Sequence, residues 1–306
     1  MNTEYGIPQH DLDALSGKLT KIAQIDGDFS TAISGLTIYR RSGATLPMPS
    51  VYGVGLGITV QGAKRVMLGD QIFDYGAGQS LLTSIDLPVA AYVTHGSTAV
   101  PYFGIRIDFE PQAITRYAGE MIFAAPNGIP TARAMSVLAL DAEQFDAVSR
   151  LIRLLEEPKL IPIIAPLIEQ ELIARLLMGP HGTTLRHLIT IGSPGQQIAK
   201  IIAWLKKHCT ENILIDDLAE KANMSPSSFR QHFRAFTGMS PLQYSKQLRL
   251  QSARQMMIYQ DIDANNAAIR SGYESVSQFS REYRRLFGEP PRRDIKRIRK
   301  STSTGV

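Results

Sequence analysis

"SPSSFRQHFRAFTGMSP" occupies residues 225–241, and fifty residues later "SVSQFSREYRRLFGEPP" occupies residues 275–291. Laid over one another, the two stretches match Ser225 with Ser275, Phe229 with Phe279, Phe233 with Tyr283, Phe236 with Leu286, Gly238 with Gly288 and Pro241 with Pro291. So dense a self-match marks an internal repeat. In each copy three apolar side chains recur at the spacing of one helical face. Ser225 or Ser275 is placed to cap the first free amides, Pro226 suits the first helical turn, and Ser275 with Gln278 has capping-box spacing. Gly238 and Gly288 supply a left-handed exit residue, and prolines soon after prevent continuation. "LAEKANMS" (218–225) and "AAIRSGYES" (267–275) add a preceding helix and a tight turn, the second one residue longer. Each unit is therefore expected to be a helix-turn-helix.

With the aromatic anchors turned inward, Ser227, Arg230, Gln231 and Arg234 face outward in the first copy, and Ser277, Ser280, Arg281 and Arg284 in the second. A recognition helix needs this division, because its anchors fix the docking angle while its exposed N-terminal half reaches base edges in the major groove. Arg binds guanine in bidentate fashion and Gln binds adenine, each worth ~1–3 kcal/mol of discrimination. One helix with aromatics below and charges above is an ordinary surface helix. Two capped copies in a basic segment are not. Between them, "SPLQYSKQLRLQSARQMMIYQ" (240–260) has no breaker after Pro241. A helix of about 18 residues there is ~27 Å long, a strut able to hold two readers about one DNA turn, roughly 34 Å, apart.

Charge follows the same division. Residues 197–306 carry 19 Lys and Arg against 10 Asp and Glu, whereas residues 1–196 carry 14 against 18. One end of the chain is expected to meet a polyanion. The overall 44% hydrophobic and 20% charged composition is that of a globular protein. A single cysteine, Cys209, excludes an intrachain disulfide and fits a reducing compartment. The N-terminus lacks the pattern of a secretory signal. The most apolar stretch (160–177) is broken by Pro162, Pro166, Glu169 and Glu171, so no membrane span is expected and a cytoplasmic location is.

From about residue 32 to 110 short strand-like runs such as "LTIYR", "KRVMLG", "QIFDYG" and "YFGIRIDF" alternate with Gly, Asp and Pro turn signals, the pattern of a β-sandwich or small barrel. After about 140 the period becomes helical. Phe145, Val148, Leu151 and Leu155 form one stripe, and "PLIEQELIARLLM" follows, so a helical hairpin is expected to cover the barrel or pair with a second subunit. The Gly- and Pro-rich segment 179–195 reads as a domain boundary. The expected organisation is a sensor and dimerisation domain (1–180), a linker (181–196), a DNA-binding domain (197–300) and a disordered tail (301–306).

The motif-bearing segments "IDDLAEKANMSPSSFRQHFRAFTGMSPLQY" and "AAIRSGYESVSQFSREYRRLFGEPPRR" resemble the C-terminal DNA-binding domain of AraC-type transcription regulators over roughly 197–295. That resemblance implies base or nearby phosphate contacts at Ser227, Arg230, Gln231, Ser277, Ser280 and Arg281, with Arg292, Arg293, Lys296 and Arg297 as phosphate contacts or solvated charge. The segments "VQGAKRVMLGDQIFDYGAGQSLLTSIDLPVAAYVT", "PYFGIRIDFEP" and "LLEEPKLIPIIAPLIEQELIARLLMGPHG" are similar to the N-terminal sensor domain of one AraC-type subfamily. The implied fold class is α+β: a cupin-like β-barrel with a helical hairpin, joined to an all-α domain of two helix-turn-helix motifs. Implied partners are double-stranded DNA, a small-molecule effector, a second copy of the chain and RNA polymerase.

The rival classes are a cupin-type enzyme and a non-specific nucleic-acid binder. A cupin metal site needs a cluster of His and carboxylate, but His95 is the only histidine within residues 32–140. "GVGLG" (53–57) is not a phosphate-loop or dinucleotide motif, and no GxSxG elbow occurs. Asp86 and Asp108 read as turn and strand-end residues, and Cys209 as a packed thiol. No catalysis, metal or cofactor is expected. A non-specific binder would leave the large acidic N-terminal domain without a role.

Overall fold

A computed structural model describes residues 6–121, 133–190, 192–211 and 213–303. Helix α1 (Gln9–Ile22) precedes strands β1 (Gly27–Ser30), β2 (Leu36–Arg41), β3 (Met48–Tyr52), β4 (Gly55–Gln61), β5 (Ala63–Leu68), β6 (Gln71–Gly76), β7 (Gln79–Thr83), β8 (Leu87–His95) and β9 (Tyr102–Asp108). Helix α2 (Pro111–Gly119), strand β10 (Met135–Ala139) and helices α3 (Ala142–Leu154), α4 (Ile161–Met178) and α5 (Gly182–Ile189) complete the N-terminal part. The strands form a six-stranded sheet ordered β1-β2-β9-β4-β7-β10 and a four-stranded sheet ordered β3-β8-β5-β6. All pairings are antiparallel.

The strands expected from the sequence are present, and three more occupy edges. β1 and β10 bound the six-stranded sheet, and β3 bounds the four-stranded one. β3 contains Pro49, which a sheet tolerates only where no partner requires its amide. Central β4 is buried from Gly55 to Val60, so it is covered on both faces. One cover is a core in which Leu12, Leu15 and Leu19 of α1, Val148 and Leu151 of α3, and Leu172 and Leu176 of α4 meet Leu36, Leu56 and Phe103 of the sheet.

The helical hairpin is present as α3 and α4. Val148 and Leu151 are buried as expected, while Phe145 and Leu155 at the ends of the stripe are only partly covered. The boundary segment differs from the expected linker. Residues 182–189 form α5, with Leu185 in the N-terminal core and His181 buried at its start. Of its glycines, Gly182 opens α5, Gly195 lies in the first turn of the following helix, and Gly192 alone has a positive φ, of 75°. Residues 182 and 194 therefore begin helices inside the stretch read as a linker.

Beyond it come α6 (Pro194–His208), α7 (Ile215–Lys221), α8 (Pro226–Thr237), α9 (Pro241–Tyr259), α10 (Ala264–Arg270), α11 (Val276–Phe287) and α12 (Pro291–Ser303). α12 extends three residues past the expected end of the ordered domain, and residues 304–306 of the expected tail lie outside the described ones. The two helix-turn-helix units are built on different cores. Phe229, Phe233, Tyr244 and Leu248 of the first join Val66, Leu68, Leu87 and Val89 of the four-stranded sheet. Phe279, Tyr283 and Phe287 of the second pack with Leu250, Ala253 and Met257 of α9 in a cluster without strand residues.

Candidate functional site

Each repeated helix starts and stops as its residues dictate. Ser225 Oγ accepts from the Ser228 amide and Ser275 Oγ from the Gln278 amide, both at 3.3 Å. Gly238 and Gly288 end α8 and α11 with φ of 70° and 82°. The reciprocal half of the expected capping box at Ser275 is not made, because the Gln278 side chain donates to Glu282 at 3.2 Å instead. A complete box forms at the head of the strut, between Ser240 and Gln243. The strut itself is 19 residues long.

Phe229, Phe233 and Phe236 are buried under α8 as expected. Under α11 the third anchor is Phe287, and Leu286 is only half-buried. Phe287 wins because its ring lies 4.3 Å from that of Tyr283 and 4.5 Å beneath the Arg254 guanidinium. Arg254 in turn pairs with Asp294, which is fully buried. Burial alone would raise the Asp294 carboxyl, but bonds from Arg254, Tyr283 and Arg297 hold it below the usual carboxylate range. This network joins α9, α11 and α12 and sets the seat of the second reader.

Of the eight expected DNA-contacting residues, Ser227, Arg230, Gln231, Arg234, Ser277, Arg281 and Arg284 are exposed and Ser280 is half-buried. Arg234, Arg281 and Arg284 have no carboxylate partner among the described residues, so their charge faces outward. Arg230 lies 3.9 Å from Asp216, an exposed contact worth little in water. On α12, Arg292, Arg293 and Lys296 are also exposed, beside the second reader. Glu282 accepts from Lys246 of the strut at 3.0 Å and from Tyr273 at 2.8 Å, which clamps α11 against α9.

The expected weak candidates are resolved by their neighbours. Asp86 pairs with Lys206 at 2.9 Å and Asp108 with Arg106 at 2.8 Å. Cys209 ends α6, and burial raises its thiol. Among the described residues no three His, Cys, Asp or Glu side chains are grouped to hold a metal ion.

The residues that would surround an effector had no signal in the sequence. A cavity of about 800 Å³ lies between the two sheets and is walled by Lys206 and Cys209 of α6 and by Leu248, Gln251 and Gln255 of α9. It exists only because strands distant in sequence face one another and the strut closes the gap. Around it the N-terminal and C-terminal parts are directly bonded: the Tyr244 hydroxyl donates to the Asp86 carbonyl at 2.6 Å, and Arg254 to the Pro49 carbonyl at 3.4 Å.

A two-sheet antiparallel domain whose open side is closed by a paired helix-turn-helix unit defines a sensor-and-reader class of protein. Residues 32–184 match the family model for the AraC-type transcriptional regulator N-terminus, and residues 218–297 match a helix-turn-helix domain. The chain belongs to the AraC-type transcriptional regulators. The transcriptional activators RhaS of Citrobacter koseri and of Salmonella schwarzengrund are 30% identical over 103 residues, 34% of this chain and 37% of theirs. The similarity thus spans little more than a third of those relatives. ToxT from Vibrio cholerae is similar in structure over 85% of this chain and 96% of its own, with a TM-score of 0.56 and 11% identity. At that identity the likeness is one of fold.

Proposed function

We propose that this chain is a sequence-specific DNA-binding transcription regulator whose N-terminal domain receives a small-molecule effector. The observation that carries the reading is the presentation of two capped helices on one strut, with cationic and polar rows left outward and largely unpaired. The RhaS activators, similar over 34% of this chain, support the transcriptional role. ToxT has been solved with an unsaturated fatty acid bound, and with a naphthalenyl butenoic acid. Those structures support a ligand role for the cavity between the sheets here. No described helix is long and apolar enough to cross a membrane, and a DNA target supports a cytoplasmic location for the working protein.

Specificity is expected in the readers and affinity in α12. Arg281→Ala should cost about 1–3 kcal/mol at particular base pairs, whereas Arg293→Ala should weaken every sequence alike. Binding to a matrix of duplex variants around a selected site checks this, and equal losses on all variants for Arg281→Ala would reject it.

The second copy is expected on α4. Leu160, Ile163 and Leu167 form an exposed apolar row on the face opposite the buried Ile161, Ala165, Ile168 and Leu172. A row of that kind on a helix is suited to a symmetric helix pair. Ile163→Glu with Leu167→Lys should convert a dimer to a monomer in sedimentation equilibrium. A wild-type chain that stays monomeric at high concentration would refute this part. RNA polymerase is a further partner of this reading, whether the DNA-bound chain activates or represses.

A further inference from the structure

Several hydrogen-bond donors at the cavity have no acceptor among the described residues. Arg106 on β9 is 8% exposed. Its Nε bonds Asp108 at 2.8 Å, and its Nη2 bonds the Gly53 carbonyl at 2.5 Å and Thr83 Oγ1 at 3.1 Å. Nη1 is buried with no hydrogen-bond partner among the described residues. A guanidinium has five N–H groups, so two are left unused in a place where an unmade bond is costly.

Lys64 on β5 is half-buried and also faces the cavity. Its Nζ lies 5.5 Å from the Tyr39 ring and 5.4 Å from the Tyr52 ring, and Arg106 lies 5.3 Å from that same Tyr52 ring. The other charges at the cavity are matched: Arg41 with Asp28, Arg106 with Asp108 and Lys206 with Asp86. Glu110 is an exposed residue at its rim. Lys64 is therefore the one inward cation without a carboxylate among the described residues. Burial pushes the Tyr39 and Tyr52 hydroxyls up to about 12, so both rings stay neutral and keep their protons.

A second group of free polar atoms comes from the strut. Gln251, Ser252 and Gln255 lie on one face of α9, line the cavity and make no side-chain hydrogen bond among the described residues. These three residues make the α9 wall of the cavity hydrogen-bonding beside Leu248, while Val54, Ile58, Ile105 and Phe109 supply apolar surface elsewhere. We propose that the cavity binds a small organic acid, its oxyanion held by Lys64 and Arg106 and its other polar groups by Gln251, Ser252 and Gln255. The proposal rests on the effector reading above and narrows it to one charge type and one pair of cations. It also names α9, the element that carries both readers, as the surface that senses the ligand.

The test is calorimetric titration of the full chain with 3-(4-hydroxyphenyl)propionate and D-glucuronate, each beside its neutral amide, and with dodecanoate and inorganic phosphate. At least one polar-ended acid should bind about tenfold or more tightly than its amide, the size of one charge-assisted bond. Lys64→Met should reduce that preference to within about threefold, and Lys64→Arg should keep it. Gln255→Ala, a change on the helix surface, should weaken acid and amide alike and serves if Lys64→Met does not fold. Equal binding of acid and amide, a preference that survives Lys64→Met, binding of dodecanoate or phosphate alone, or no binding at millimolar concentration would each overturn the proposal. Gel retardation of a duplex selected from random sequence separates the two readings. Acid binding without DNA binding sinks the regulator reading alone, and DNA binding without acid preference sinks this one alone.

Discussion

His181 shows how a single side chain fixes a junction that composition reads as loose. Its Nδ1 lies 2.8 Å from Ser136 Oγ and its Nε2 3.1 Å from Ser80 Oγ. Ser80 donates to the Leu138 carbonyl, so it accepts from Nε2–H, and Nδ1 accepts from Ser136. Thr184 Oγ1 donates to Ser136 in turn. One neutral imidazole thus ties the start of α5 to β7 and β10. Burial lowers its pKa from 6.5 to about 4. The unfolded chain then binds the extra proton between those values, so the stability from a neutral His181 is complete above about pH 6.5. It is lost as pH falls toward 4, by up to about 3 kcal/mol. Urea midpoints measured from pH 7 to 4 should fall along that course, and His181→Gln should flatten it. An unchanged slope in the variant would assign the effect to other groups. Asp294 is the opposite case, a buried carboxylate kept ionised by Arg254 and Arg297. No such pairing was visible in the sequence, where Asp294 is one acid among many bases.

At the scale of elements, two helices with the same cap sit in different surroundings. A Cβ on Gly288 would meet nothing within 4 Å, so Gly288→Ala should cost only its left-handed backbone, about 1–2 kcal/mol. A Cβ on Gly238 would lie 2.9 Å from the Leu68 carbonyl oxygen, and one on Gly69, in the turn between β5 and β6, 2.4 Å from the Gly238 carbonyl oxygen. Gly238→Ala and Gly69→Ala should therefore destabilise more than Gly288→Ala, by a further ~1 kcal/mol or more, because the backbones must also separate. Urea unfolding of the three variants decides it, and equal losses would mean that the contact is not close in solution. The pair also shows what was legible. The N-cap serines and glycine exits of α8 and α11, and the anchors of α8, depend on residues within a few positions, so the sequence displayed them, whereas the capping box of Ser240 and Gln243 went unread. Phe287 displaced Leu286 as an anchor through Arg254, thirty-odd residues away, and no local spacing records that. The edge strands β1, β3 and β10 were missed because edges need neither strong alternation nor freedom from proline. The outward polar and cationic rows of α8 and α11 were legible for the same reason as the caps. The cavity was not, since Lys64, Arg106 and Gln251 come from three elements that only the tertiary fold brings together.

The whole molecule is a sheet domain that supplies part of the core of its own reader. Val66, Leu68, Leu87 and Val89 pack with Phe229, Phe233 and Tyr244, whereas the second helix-turn-helix packs on α9 and α12 without strand residues in its core. Buried apolar surface is the main stabilising term, at roughly 25 cal/mol per Å², so the two readers should not depend equally on the N-terminal part. An effector can shift such a molecule only by binding one arrangement of the parts more tightly than another. The cavity wall formed by α9, and the bonds of Tyr244 and Lys206 to Asp86, lie where those arrangements would differ. The consequence can be measured without knowing the ligand. In a fragment covering residues 194–306, amides of α6 and α8 should exchange with deuterium about tenfold or more faster than in the full chain, a loss of ~1.4 kcal/mol or more. Amides of α11 should keep their protection, because their packing travels with the fragment. Equal protection of α8 and α11 in the fragment would mean that the first reader folds on its own core. The coupling between sensor and DNA would then have to pass through something other than this shared packing.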